Sequence, residues 1–431
     1  MLEQPFLTDL DTRAQVKGSI DPLGAMAIWS RIGRRVVGNL STVSNSVKDF
    51  KTLVTGFALI EDVRRKAGDT EDIDEIGVFL RWEELAAYVR AYFNNDKEFR
   101  GTTRVQRQLS EGTTVPVSIE RDCQILANQK SYGIWGLFTV PARTCGLIEA
   151  EANVLTEPAR SLVDVTWRQK IGPTWPILVG LVERDDRRLS LDRFADTLRR
   201  VRPIWLKTDA AERAFWKRHL IDGGPSDSTS GRQAILAGLF RDSLNDPDFA
   251  FSPRSLRDLA AKAKGRDEQL SENLLAIAAS ESVLAPAAAL FGFVLSRDGQ
   301  RLDVVARNVS RNWPASLPSV ARDRLEGLQP EFSVARDSQV EARLWLAIAD
   351  SLSAGRYREA IVQLLELNKL VTIRRGGAPW VADDSGTLRV RFRDETSTLP
   401  AGGEVKNLWR HSYFLDSLRA VVQQLEARDG Q

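Results

Sequence analysis

Between Val47 and Val63 the large apolar residues fall at Val47, Phe50, Leu53, Val54, Phe57, Ile60 and Val63. Steps of three and four gather such residues onto one face only if the backbone is α-helical. The same period flanks this stretch on both sides. Asp21-Pro22 offers a cap and a first-turn proline for a helix carrying Leu23, Met26, Ile28, Ile32 and Val36. Ile76 to Phe93 repeats the pattern with Phe79, Leu80, Trp82, Leu85, Tyr88 and Val89. Three amphipathic helices joined by polar turns predict a bundle over 1–100.

A chain of 431 residues supports several cores, and its punctuation suggests where they divide. Residues 1–20 are polar and irregular, and the Gly/Thr/Ser-rich run 101–118 reads as a linker. A small module at 119–168 follows. Gly172-Pro173-Thr174-Trp175-Pro176 then interrupts the chain before a helical middle domain at 177–355. Helices are expected there over 191–200, 210–220, 231–244, 253–263, 269–279, 285–295 and 340–354. The last segment, 356–431, reads as helix, β-hairpin, helix. Leu388-Arg389-Val390-Arg391-Phe392-Arg393 alternates apolar and basic with the period of a strand. The expected fold class is mostly α: a multidomain helical protein with one or two small winged-helix-like (α+β) modules.

The winged-helix expectation rests on particular residues. Cys123 to Gln129 reads as helix, and Tyr132 to Cys145 leads into Gly146-Leu147-Ile148. After a short gap come Leu155-Thr156-Glu157-Pro158-Ala159-Arg160-Ser161-Leu162. This stretch resembles the end of a winged helix, in which a recognition helix stops at a strand, a wing follows, and a second strand starts the last helix. The resemblance covers about 50 residues. It implies a recognition helix offering Thr139, Arg143 and Thr144, and a wing over Glu149 to Val154. That wing carries Glu149 and Glu151, and acids there repel a polyanion. Such a module suits protein docking better than DNA reading.

Rare residues narrow the chemistry. Cys123 and Cys145 are too few for a zinc site or a disulfide framework, and both read as buried free thiols. The two histidines, His219 and His411, lie far apart in sequence. The phosphate loop, the dinucleotide fingerprint and the serine-hydrolase elbow are all missing. The Asp383/Asp384…Glu404-Val405-Lys406 spacing imitates a metal-dependent nuclease, but Gly402-Gly403 stand where a buried strand is needed. A non-enzyme without cofactor or metal is therefore expected. No apolar run reaches the roughly 18–20 residues that span a bilayer, so a cytoplasmic protein with no membrane contact is expected.

Charge points to partners. Sixty Lys and Arg against 58 Asp and Glu leave no global field, yet 47 of the cations are Arg. Arg389, Arg391 and Arg393, with Arg374 and Arg375 on a preceding strand, are the candidate nucleic-acid contacts. Arg143 is a further candidate, and Arg31, Arg34 and Arg35 read as a solvated or salt-bridged helix face. Phe79, Trp82, Tyr88, Tyr92 and Phe93 exceed what three short helices cover and are the candidate partner-binding residues. The expected function is a non-catalytic adaptor or scaffold subunit of an intracellular, prokaryotic multiprotein assembly acting on or near DNA. It would bind other protein subunits and touch DNA through weak phosphate contacts. The alternative is a stand-alone winged-helix transcription regulator.

Overall fold

In the computed structural model the helical period is realised in the helices Val47–Ala67 and Glu75–Asn94. The structure describes residues 21–68, 73–206, 208–244, 246–313, 322–328, 330–332, 339–394 and 396–426. The irregular stretch 1–20, with its acids Glu3, Asp9 and Asp11, lies outside the described residues. The described chain is mostly helical, with two small antiparallel sheets of two strands each. It divides into two units, each made of segments distant in sequence. One comprises 1–36 and 245–413; the other comprises 37–244 and 414–431.

In the 37–244 unit, Ser46 caps Val47–Ala67 by accepting the Asp49 amide, and Asp74 caps Glu75–Asn94 through Gly77. Both helices are buried almost all round, which is why they carry charges inside. Arg90 bonds Asp49 at 2.6 Å and Asp96 at 3.0 Å, and Lys51 pairs with Glu212 at 2.8 Å. The expected linker is instead a helix, Thr102–Glu111, and a strand, Thr114–Val117. The strand pairs antiparallel with Arg187–Ser190, Thr114 opposite Ser190. Val105, Val115 and Val117 are buried, and these apolar positions in an otherwise polar run anchor it. The 172–176 interruption is one turn of 3₁₀ helix, Gly172–Thr174, after which Trp175–Glu183 resumes. Gly172 at φ 58° absorbs the kink, and Pro176 sits near the helix start, where its missing N–H costs nothing.

The helix Ala25–Gly33 belongs to the other unit, so the three expected bundle helices do not share one unit. Asp21 does not start this helix directly. Its carboxylate accepts the Ala25 and Met26 amides across an intervening turn. Gly33 is required by proximity, because a Cβ there would meet the Tyr413 carbonyl at 2.7 Å. The helix packs on Glu268–Leu295, a 28-residue helix that replaces the two expected at 269–279 and 285–295. Ser280, Glu281 and Ser282 do not interrupt it, since the serines return hydrogen bonds to Ala276 and Ala278 and Glu281 finds partners described below. Pro286 removes one ladder bond, which the surrounding packing tolerates. By length and composition this helix could cross a membrane, contrary to the expected absence of such a run. Its most apolar stretch is 83% buried, as a core helix is.

At the end of this unit, the helix Tyr357–Arg374 takes in Arg374, a residue expected on a strand. The hairpin Val381–Asp384/Thr387–Val390 closes through Ser385 at φ 54° and Gly386 at φ 84°, the paired positive φ of a two-residue turn that matches strand twist. Residues 299–302 lie along its outer edge. Leu388 donates to Gln300, Gly299 donates to the Leu388 carbonyl, and Leu302 donates to the Gly386 carbonyl.

Candidate nucleic-acid interface

The hairpin is built so that its two sides differ. Leu388 and Val390 are buried while Arg389 between them is exposed, as alternation requires. Regular pairing ends at Val390, so the expected row of three does not continue as strand. The amides of Arg391 and Phe392 both turn to the Trp380 carbonyl, and Arg391, Phe392 and Arg393 are all exposed. The Phe392 ring lies 4.3 Å from Trp380, tilted by 32°.

Carboxylates accompany these cations without enclosing them. Arg389 lies 3.4 Å from Asp384, both more than 60% exposed. Arg393 bonds Asp298 at 2.5 Å. The Val390 amide and the Arg393 guanidinium hold Asp298 below the usual carboxylate range, with Arg389 adding to the field. Asp303 is lowered in the same way by its bond to Arg358, with Arg301 and Arg307 nearby. Two aspartates thus sit among five arginines on the exposed surface around the hairpin. Exposed pairs of this kind contribute little, so the guanidiniums can exchange a carboxylate for another anion at small cost.

The other expected contacts are placed differently. Arg374 and Arg375 are not on a strand. They stand in and just after the last turn of Tyr357–Arg374, where Arg374 pairs with the buried Glu341 and Arg375 bonds the Asp21 carbonyl. Helical burial of Leu367 and Val371 continues the apolar period through Thr372, which overrides the strand propensity of Val371-Thr372-Ile373. Arg31 donates to the Pro330 and Glu331 carbonyls, and Arg35 pairs with Glu331, as a salt-bridged helix face should. Glu404 and Lys406 are exposed at a short 3₁₀ turn, not on a buried strand.

The 119–168 stretch departs at its start from the winged-helix order expected of it. Residues 121–128 are turns, not helix; Gln129–Tyr132 is one helical turn, and Ile134–Thr144 is the longer helix. A minimal hairpin follows. Ile148 bridges Leu155, Glu149 donates to Val154, and Thr156 donates to Leu147. Arg143 is spent on this loop. Its Nη1 donates to the carbonyls of Glu149, Ala150 and Ala152, and its Nη2 lies 2.7 Å from Asn153 Oδ1. Glu149 and Glu151 remain exposed.

Phe79, Trp82 and Tyr88 are fully buried, against the expectation of an open aromatic face. Trp135 packs edge-on against Phe79 at 5.2 Å, and Trp205 stacks on Trp82 at 5.9 Å. Parts of the same unit beyond residue 100 therefore cover them. Tyr92 is exposed and reaches Asp192, and Phe93 is half-buried under Arg199.

Among the buried carboxylates that escaped the sequence reading are Glu281 and Glu83. Glu281, wholly inside Glu268–Leu295, accepts the amides of Arg410 and His411, the His411 Nδ1 at 2.8 Å and the Tyr413 hydroxyl at 3.0 Å. Four bonds onto one carboxylate tie 410–413 to the helix. An acid in the middle of Ala-Ala-Ser-Glu-Ser-Val-Leu was the signal. Glu83 accepts the Ile134 amide at 2.7 Å and the Gln129 side chain at 3.2 Å, so it caps the helix Ile134–Thr144 from outside. Burial pushes it up to about 7, and its neighbour Glu84 is raised as well. The pocket beside Glu83, lined also by Arg90, Phe99 and Arg100, holds about 10 Å³, room for one water.

Neither protein-family models, nor curated proteins, nor solved structures match this chain.

Proposed function

We propose that this protein is a non-catalytic adaptor or scaffold subunit of an intracellular assembly acting on or near DNA, and that it touches DNA phosphates with the arginine-bearing hairpin of the 245–413 unit. The observation that carries this reading is the set Arg389, Arg391 and Arg393 standing exposed, with Arg389 paired to the exposed Asp384 and Arg393 to the partly exposed Asp298. A phosphate offers a guanidinium a bidentate acceptor and releases condensed counterions on binding, which an exposed aspartate cannot match. The regulator alternative asks Arg143 to read DNA. That guanidinium already serves three carbonyls and Asn153, beside exposed Glu149 and Glu151.

The test is binding of the purified full chain to labelled duplexes of unrelated sequence at several salt concentrations. Weak, sequence-tolerant affinity with a steep salt slope is expected. Replacing Arg389, Arg391 and Arg393 together by Glu should lower the affinity for every duplex and flatten that slope. Wild-type binding in the triple variant, with its circular dichroism unchanged, would sink the reading.

A further inference from the structure

The same surface carries a feature that phosphate contact does not need. Phe392 is 47% exposed, whereas Trp380 behind it is only 9% exposed. The two rings lie 4.3 Å apart, so one side of Phe392 is backed and the other is open. The backing ring is nearly buried and its backbone is held: the Trp380 amide donates to Asn368 Oδ1 at 2.9 Å, and its carbonyl takes the Arg391 amide at 2.8 Å. Phe392 is therefore a braced aromatic platform. Arg391 and Arg393 flank it directly in sequence, and Arg389 stands one strand repeat earlier.

A duplex has little use for such a platform. Its bases are stacked on one another, and its backbone presents only phosphate and sugar to an arginine-bearing surface. A single strand has both parts to offer: unstacked bases with open π faces, and phosphates about one residue apart along an extended chain. Aromatic stacking combined with guanidinium contacts is the physical recipe for single-strand binding without sequence preference. The aspartates at this surface, Asp298, Asp384 and Asp394, lower the net charge. That weakens phosphate attraction and leaves stacking a larger share of the affinity.

We infer that the hairpin surface around Phe392 binds single-stranded DNA, with Phe392 stacking a base while Arg391 and Arg393 hold the adjoining phosphates. This rests on the proposed DNA contact and narrows it to one form of DNA. The bracing by Trp380 means that little ordering of the ring is required on binding.

Fluorescence anisotropy of the full chain with labelled oligo-dT, a duplex of equal length and an oligo-U RNA separates the possibilities. Oligo-dT is expected to bind more tightly than the duplex. Phe392→Ala should weaken oligo-dT binding about tenfold while changing duplex binding by less than twofold, and Phe392→Trp should restore it. Equal loss on both DNAs, no loss on oligo-dT, or tighter binding of the RNA would overturn the inference. If duplex binding still collapses in the triple arginine variant while Phe392→Ala is silent, the phosphate reading stands and this inference alone fails. If Phe392→Ala loses its fold by circular dichroism, quenching of the native tryptophan emission by oligo-dT replaces it. Absence of quenching at saturating oligo-dT then overturns the inference.

Discussion

Among the described residues two small hairpins have arginines nearby, and they use those arginines in opposite ways. At 147–156 the arginine is turned inward, and Arg143 holds the loop together through carbonyls that have no other partner strand. At 381–390 the turn is closed by its own backbone, through Ser385 and Gly386 at positive φ and the added edge at 299–302. No guanidinium is needed to hold that loop, so its arginines are left at the surface with exchangeable partners. Whether a basic residue beside a hairpin is structural or available thus depends on how the loop satisfies its own backbone groups. Sequence shows the residue and not that demand.

The sharpest way to break this contrast is through pH, because Glu83 supports the helix that carries Arg143. Its carboxyl is raised from 4.5 to about 7 by burial, so the folded protein holds that proton more tightly than the unfolded chain does. The stability contribution is full below pH 4.5 and is lost as pH rises toward 7, by about 3 kcal/mol. Glu84, raised by the same burial, acts in the same direction. Urea denaturation of Glu83→Gln across pH 4.5–7.5 is expected to show a distinctly flatter profile than wild type. A parallel profile would mean that the cap on Ile134 does not govern this region.

Binding comes next in size. The Arg389/Arg391/Arg393→Glu triple variant should lose about a hundredfold in DNA affinity at low salt, whereas Arg143→Ala should lose less than twofold. Reversal of that order would erase the distinction between the two hairpins. A smaller effect distinguishes them by stability: Arg143→Ala should cost about 1 kcal/mol and speed amide exchange at Glu149 and Thr156, since the loop carbonyls lose their donor. Mass-spectrometric hydrogen exchange reads this directly. The mildest variant is Asp298→Asn. It leaves an acceptor for the Val390 amide but frees Arg393, and about threefold tighter DNA binding is expected in a titration at low salt. In wild type the Asp298 carboxylate is held down by these donors, so its contribution is present above the ordinary carboxylate range. It is lost as pH falls below about 4.

Much of the helical layout was legible because it follows from period alone. Pro253–Ala263 coincides with its expected bounds, fixed by Ser252 and Pro253 at one end. Legibility fails where a tertiary partner decides. Val371-Thr372-Ile373 has the composition of a strand, yet burial of Val371 and Thr372 keeps it helical. Val115 and Val117 become a strand only because Arg187–Ser190 arrives from 70 residues away. At the candidate interface the arginines of the hairpin were visible in advance. The braced Phe392 was hidden, since the alternation that should have buried it stops at Val390 for reasons of backbone pairing with Trp380. The open aromatics were misread for the converse reason: Trp135 and Trp205, which cover Phe79 and Trp82, lie far along the chain and carry no local sign of their destination.

The interleaving of the two units bears on the order in which the protein can be made. The helix Leu415–Glu426 belongs with 37–244, so that unit waits for its last piece until the whole of 245–413 has left the ribosome. In that helix Leu418, Val421 and Val422 are fully buried, and until it arrives the surfaces it covers are open to water and to other nascent chains. By then the 245–413 stretch and its partner helix Ala25–Gly33, which precedes it in the chain, have both been synthesised. A premature stop shortly before residue 415 would leave the 245–413 unit nearly whole and the 37–244 unit without the helix Leu415–Glu426.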